Sequence, residues 1–177
     1  DHLGAGLFDA EGRELCESES TPMHIGSIPG YMRGIEKSIP LSDWREGEVV
    51  IHNHPYYGAS HSPDIGIVMP IFYCGELVGF SANTAHHLDI GAATPGLIID
   101  VPDVFAEGML LNGLKLVEVG KRNDTLWRYI SGNTRVPGLV MRDLEAQIAS
   151  AELGVKRFCE LMDTYGRATV EQASQAM

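Results

Sequence analysis

Cysteine is scarce and scattered. Cys16, Cys74 and Cys159 stand far apart in 177 residues, and no two have the C-x-x-C spacing of a zinc ribbon or a redox dithiol. That rules out a dense disulfide framework, and three free thiols imply a reducing compartment, the cytoplasm. Long apolar runs are also missing, since no stretch approaches the ~18 residues that a membrane span takes. Positive charge is in short supply, with 13 Lys and Arg against 24 Asp and Glu and a formal net charge of −11. Such a surface argues against nucleic acid or an anionic membrane face as partner. Two catalytic signatures are incomplete. "GFSAN" lacks the second glycine of the nucleophile elbow. Gly91 to Gly96 have the glycine spacing of a phosphate loop, but Leu97-Ile98 follow where Lys-Ser/Thr are needed. If ATP is used, another chain binds it.

What is present is a core-forming chain, 44% hydrophobic, with no repeat and no low-complexity linker. "GAGLFDAEGRELCESE" reads as two short strands around a β-turn at Asp9 to Gly12. Residues 24–39 read as a helix broken by Pro29 and Gly30, and 48–52 as a strand. "IGIVMPIFY" (65–73) and "ELVGFSANTAHH" (76–87) read as strands joined by a tight turn at Cys74-Gly75. Both are apolar on both faces, as in a sheet covered on two sides, and Pro70 calls for an edge or a bulge. A Gly/Pro-rich loop (91–104), a strand (114–119) and a short helix (122–133) follow. The clearest helix begins at Pro137. Its Leu144, Ile148, Ala151, Val155, Phe158, Met162 and Tyr165 recur at spacings of four and three, a single apolar stripe. The expected fold is α/β in the α+β sense: a mixed, mainly antiparallel sheet over residues 1–137 carrying the site, and a helical segment over 138–177 packing on it. The chain opens on Asp1-His2 without a signal-peptide pattern and closes on helix-like "ATVEQASQAM", so a fragment of a larger subunit is expected.

All seven histidines precede residue 88, and two runs concentrate them: "NHPYYGASHSPDIG" (53–66) and "TAHHLDIG" (84–91). Neutral imidazole and carboxylate suit zinc, manganese or iron(II), and two His with one carboxylate leave coordination positions open. His61 and Asp64 come from one loop. Counting outward from the Cys74-Gly75 turn, Asp64 lies about ten residues back and His86 about eleven forward, so an antiparallel hairpin brings them together. Neighbours in a strand face opposite sides. Either His86 meets the metal while His87 and Asp89 pair behind the sheet, or the reverse holds. The competing reading is a polar loop whose histidines are solvated or structural.

The quoted runs, with "GELVGFSANTAHHLDIGA", "AEG" and "NTRVP…RDLEAQIAS", resemble the hydantoinase B/oxoprolinase family over nearly the whole chain. The family pattern reads N-D-P-Y-x-G-G-T-H-x-P-D and R-A-H-H-x-D-I-G-G. This sequence departs from it at His54, Ala59, Ser60, Thr84 and Ala92, and in these departures it is similar to the large subunits of ATP-dependent ketone carboxylases, such as acetone carboxylase and acetophenone carboxylase. The resemblance implies a metal site on His61, Asp64 and one of the paired histidines, His86 before His87, with manganese first and zinc or iron as alternatives. It also implies a partner subunit of the hydantoinase A type that binds ATP, with a further small subunit as an optional third component. The activity implied is carboxylation of a ketone with bicarbonate to a β-keto acid. A cyclic amide hydrolase of the hydantoinase or 5-oxoprolinase type, and a non-catalytic scaffold subunit, are the alternatives. In the ketone carboxylation, His87 or His54 would move a proton, and Arg135 would hold phosphate or carboxylate unless it pairs with Asp143 or Glu145. Glu107 matches the family's Glu-Gly pair, or serves as a turn element.

Overall fold

The computed structural model describes residues 3–19, 26–96 and 100–176. Strands β1 (Leu3–Asp9) and β2 (Glu14–Glu17) precede helix α1 (Ile28–Glu36). Strands β3 (Val49–His52), β4 (Asp64–Tyr73), β5 (Glu76–His86), β6 (Leu114–Glu118) and β7 (Lys121–Arg122) follow, and helices α2 (Asp124–Gly132), α3 (Pro137–Tyr165) and α4 (Arg167–Gln175) close the chain. One open sheet contains all seven strands in the order β2-β1-β5-β4-β3-β6-β7, and its ladders are antiparallel. The expected α+β architecture with a helical C-terminal third is what the chain adopts.

The two-sided cover of the sheet explains why β4 and β5 carry apolar residues at both parities. Ile65, Ile67 and Met69 of β4 join Val49 and Ile51 against Val140, Leu144 and Ala151 of α3 and Trp127 and Ile130 of α2. The alternate residue Val68 joins Val50, Phe80, Ala82 and Phe8 against Ile28, Met32 and Ile35 of α1. On the α3 stripe Leu144, Ala151, Phe158 and Met162 are buried, while Tyr165 beyond them is exposed. The helix stops there because Gly166 turns to φ +83°.

Three local features depart from the simplest sequence reading. Pro29 does not break α1 but sits in its first turn, where a missing N–H takes nothing from the helix. (Residues 24 and 25 of the expected segment lie outside those described.) Pro70 stands in a central strand, yet β3 pairs with β4 only at Gly66, Ile67 and Val68, so at Pro70 the strand has no partner on that side. The β4–β5 hairpin closes through Cys74 (φ 52°) and Gly75 (φ 81°), the two left-handed residues of a tight hairpin turn. Just beyond it the register shifts by one between Ile71 and Phe72, leaving Val78 of β5 as the extra residue of a bulge.

Candidate metal centre

That bulge decides which histidine meets Asp64. Past it, Asp64 pairs directly with His86 at the open end of the hairpin. Cross-strand partners share a face, so Asp64 and His86 both lie on the α1 side of the sheet. Without the extra residue Asp64 would stand opposite Ala85, and His86 would face α3.

His61 is delivered by the loop between β3 and β4. The loop begins with a 3-10 turn, Pro55–Tyr57, ended by Gly58 at φ +107°. It lies so close on α1 that a Cβ on Gly34 would fall 1.6 Å from the Tyr57 carbonyl oxygen, and one on Gly30 would fall 2.6 Å from that of Gly58. Helix and loop therefore touch backbone to backbone. Asn53 ties the loop from beneath, donating to the carbonyls of Ser62 (2.6 Å) and Met109 (2.9 Å) and accepting from the Leu111 N–H at 2.6 Å.

The three side chains converge tightly. Asp64 Oδ1 lies 3.0 Å from His61 Nε2 and 3.0 Å from His86 Nδ1, and the two nitrogens are 3.2 Å apart. The imidazoles stack with centroids 5.0 Å apart at 24°. Asp64 is fully buried, while both imidazoles keep an exposed edge. Ser60 Oγ donates to the other carboxylate oxygen, Oδ2. Burial alone would raise the Asp64 pKa, but hydrogen bonds from His61, Ser60 and His86 outweigh it and hold the carboxyl well below the usual range, ionised at neutral pH. One carboxylate oxygen and two ring nitrogens, aimed at one point, form a donor set that suits a divalent first-row cation. Donors around a cation with bonds of roughly 2.0–2.2 Å are spaced about as these three are. Among the described residues this is the one cluster of three or more such side chains.

The remaining expected residues are placed elsewhere. His87 points to the opposite face and does not pair with Asp89: its Nε2 lies 2.8 Å from Gln147 Oε1 on α3. Burial holds the His87 ring below its ordinary pKa, hence neutral. Gln147 also donates to the Ile65 carbonyl and to Asn83 Oδ1, both at 2.9 Å. Asp89 is buried and accepts from the Gly91 N–H at 3.0 Å and from the Arg135 guanidinium at 2.8 Å. Burial works to raise its pKa, but the N–H groups of Arg135 and Gly91 and the guanidinium lower it on balance. Arg135 is therefore paired with Asp89, not with Asp143 or Glu145, and it also grips the Ala93 carbonyl at 3.3 Å. It fastens the loop after β5. Glu107 accepts from the Ser62 N–H at 3.1 Å, so it supports the loop that carries His61 from the 103–108 segment. The His54 ring packs edge-on against Tyr57 at 4.8 Å, with Nδ1 buried and without a hydrogen-bond partner among the described residues.

Sequence reasoning missed Tyr31. It is buried on α1, donates to the Asp64 carbonyl at 2.9 Å and accepts from Thr84 Oγ1 at 3.1 Å. Burial pushes its pKa up to about 12, so it stays a donor. Nothing in the sequence links a tyrosine 33 positions away to the site. A cleft of about 590 Å³ opens on the α3 face, floored by Asn83 and Ala85 and walled by Asp143 and Gln147; His86 reaches its rim, but neither His61 nor Asp64 lines it.

An antiparallel sheet carrying a His-Asp-His cluster at the open end of a hairpin defines the class: an α+β domain with a candidate metal centre. The chain belongs to the hydantoinase B/oxoprolinase family, whose profile matches residues 1–177. It is 45% identical to a protein of Pseudomonas sp. (strain NS671) provisionally assigned as one subunit of a D-/L-hydantoinase, over 99% of this chain and 30% of that protein. It superposes on the ATP-dependent caprolactamase of Pseudomonas jessenii with a TM-score of 0.92 and 30% identity, over 99% of this chain and 30% of that one. An acetone carboxylase solved without nucleotide matches with a TM-score of 0.85 at 22% identity, over 98% of this chain and 23% of that one, a likeness of fold. The chain thus spans 30–31% of the length of two of the curated relatives it matches, and 13–14% of the 5-oxoprolinases of Dictyostelium discoideum and Arabidopsis thaliana. Among the described residues no helix is long and apolar enough to cross a membrane.

Proposed function

We propose that this chain carries the metal centre of an ATP-dependent enzyme that activates the carbonyl of a cyclic amide, together with a hydantoinase A-type partner that binds ATP. The observation that carries the reading is the approach of His61 Nε2, Asp64 Oδ1 and His86 Nδ1 to within 3.0–3.2 Å of one another. A divalent cation held there, manganese first and zinc or iron next, supplies a Lewis acid to an oxygen on which negative charge grows. The chain's own residues do the rest. Asp64 contributes a fixed negative charge. His87, neutral and locked to Gln147, is a strut between sheet and α3, which leaves His54 as the imidazole for proton transfer. The names of the hydantoinase and the caprolactamase both denote action on ring amides, which puts this substrate class first.

Ketone carboxylation is the second reading, favoured by the departures from the family pattern and by the fold shared with acetone carboxylase. Two of those departures lose weight in the structure. Ser60 and Thr84 commit their hydroxyls to Asp64 and Tyr31, so they report on how the site is supported and not on what it binds.

The test uses the intact complex of full-length subunits. Elemental analysis is expected to find a stoichiometric divalent metal that Asp64→Asn and His61→Ala remove. ATP-dependent ring opening, read by mass spectrometry on a hydantoin, 5-oxoproline and a lactam, is expected for at least one. Label from bicarbonate appearing in a β-keto acid would put the ketone reading in its place. Full metal and full activity in both variants would leave a scaffold subunit.

A further inference from the structure

The two oxygens of Asp64 have different tasks. Oδ1 faces the two imidazoles at 3.0 Å each, and Oδ2 accepts from Ser60 Oγ in the same loop. The side chain that presents them is fully buried, and its own main chain is pinned. Tyr31 donates to the Asp64 carbonyl, Thr84 donates to Tyr31, and Gly66 leaves room for the ring, since a Cβ there would fall 2.4 Å from Tyr31 Cδ1. The Ser62 N–H is held by Glu107, which fixes the loop between Ser60 and Asp64.

Resting on the metal reading above, we propose that Ser60 is a positioning residue that restricts Asp64 to single-oxygen ligation, and so keeps one coordination position open for substrate. The physical reason is competition for a lone pair. A hydroxyl donating to Oδ2 turns that oxygen away from the cation, whereas an undirected carboxylate can offer a divalent cation both oxygens. The hydroxyl acts through Asp64 and touches neither metal nor substrate. Threonine carries the same donor, so it performs the same task.

The experiment uses the full-length complex stripped of metal and titrated with Co(II), with visible absorption reading affinity and coordination, and Mn(II) electron paramagnetic resonance as a second probe. Ser60→Ala is expected to weaken Co(II) binding roughly 10- to 100-fold. It is also expected to lower the intensity of the Co(II) bands, as coordination number rises when both carboxylate oxygens bind. Ser60→Thr is expected to keep the native affinity and bands. Native affinity and spectrum in Ser60→Ala would overturn the proposal, as would a Ser60→Thr protein that loses as much as Ser60→Ala. If the native complex takes up no Co(II) that Asp64→Asn abolishes, the metal reading itself fails, and the role of Ser60 with it. That outcome is told apart by the unsubstituted protein alone.

Discussion

The contact between α1 and the metal loop allows a quantitative forecast for Gly34→Ala. The added methyl would sit 1.6 Å from the Tyr57 oxygen, 2.7 Å from its carbonyl carbon and 3.1 Å from His52 Nε2. Restoring an ordinary van der Waals separation takes about 2 Å of movement between two backbones, neither of which has a flexible end to yield. Overpacking of this kind costs about 1–3 kcal/mol or more, and parting the segments also breaks the 3.0 Å bond of His52 to the Tyr57 carbonyl, another 1–3 kcal/mol for a buried pair. Alanine returns about 1 kcal/mol through helix propensity, leaving a net loss of about 1–5 kcal/mol. The loop carrying His61 moves with Tyr57, so metal binding weakens as well. Gly132→Ala is the control, because nothing lies within 4 Å of a Cβ there. Urea unfolding and metal analysis of the two full-length variants decide the matter. A Gly34→Ala protein as stable and as metal-loaded as the control would refute the backbone-contact argument.

Three further outcomes are expected. His52 is fully buried, and burial pushes its pKa from 6.5 down to about 4. Above about pH 6.5 the ring is neutral folded or unfolded; below that the unfolded chain takes up a proton first, so stability declines until about pH 4, by about 3 kcal/mol at most. His52→Asn is expected to flatten that slope in urea titrations at about pH 7 and about pH 4.5, and an unchanged slope would contradict the assignment. Gln147→Ala leaves His87, Asn83 and the Ile65 carbonyl each short of a partner and is expected to lower stability by about 2–4 kcal/mol, whereas equal melting of variant and native protein would show the network to be dispensable. Arg135→Ala removes a half-exposed guanidinium from buried Asp89; a loss of about 1–2 kcal/mol with unchanged metal stoichiometry is expected, and loss of metal would tie this loop to the centre.

Much of this molecule was legible one residue at a time. The His61-x-x-Asp64 run, the turn at Cys74-Gly75 and the apolar strands on either side predict a hairpin that brings Asp64 and His86 together, and the ladder pairs them. The α3 stripe was readable because helical period and burial coincide at Leu144, Ala151, Phe158 and Met162. Spacing alone also suggested partners that folding did not supply. His87 lies near Asp89 in sequence but across the sheet from Asp64, and Arg135 found Asp89 and not the acids of the helix that follows it, because loop closure and not sequence proximity chose the pair.

The sequence by itself determined the chemistry: two imidazoles, one carboxylate, and strands apolar enough to carry them back to back. Only the tertiary structure decided which imidazole serves. One extra residue at Val78 sets the parity of β5, and side chains alternate faces, so His86 joins Asp64 while His87 turns to α3. The supports were likewise invisible beforehand, since Tyr31, Gly34 and Gln147 reach the site across layers of the fold, where contact depends on how helices settle on a sheet and not on any local pattern.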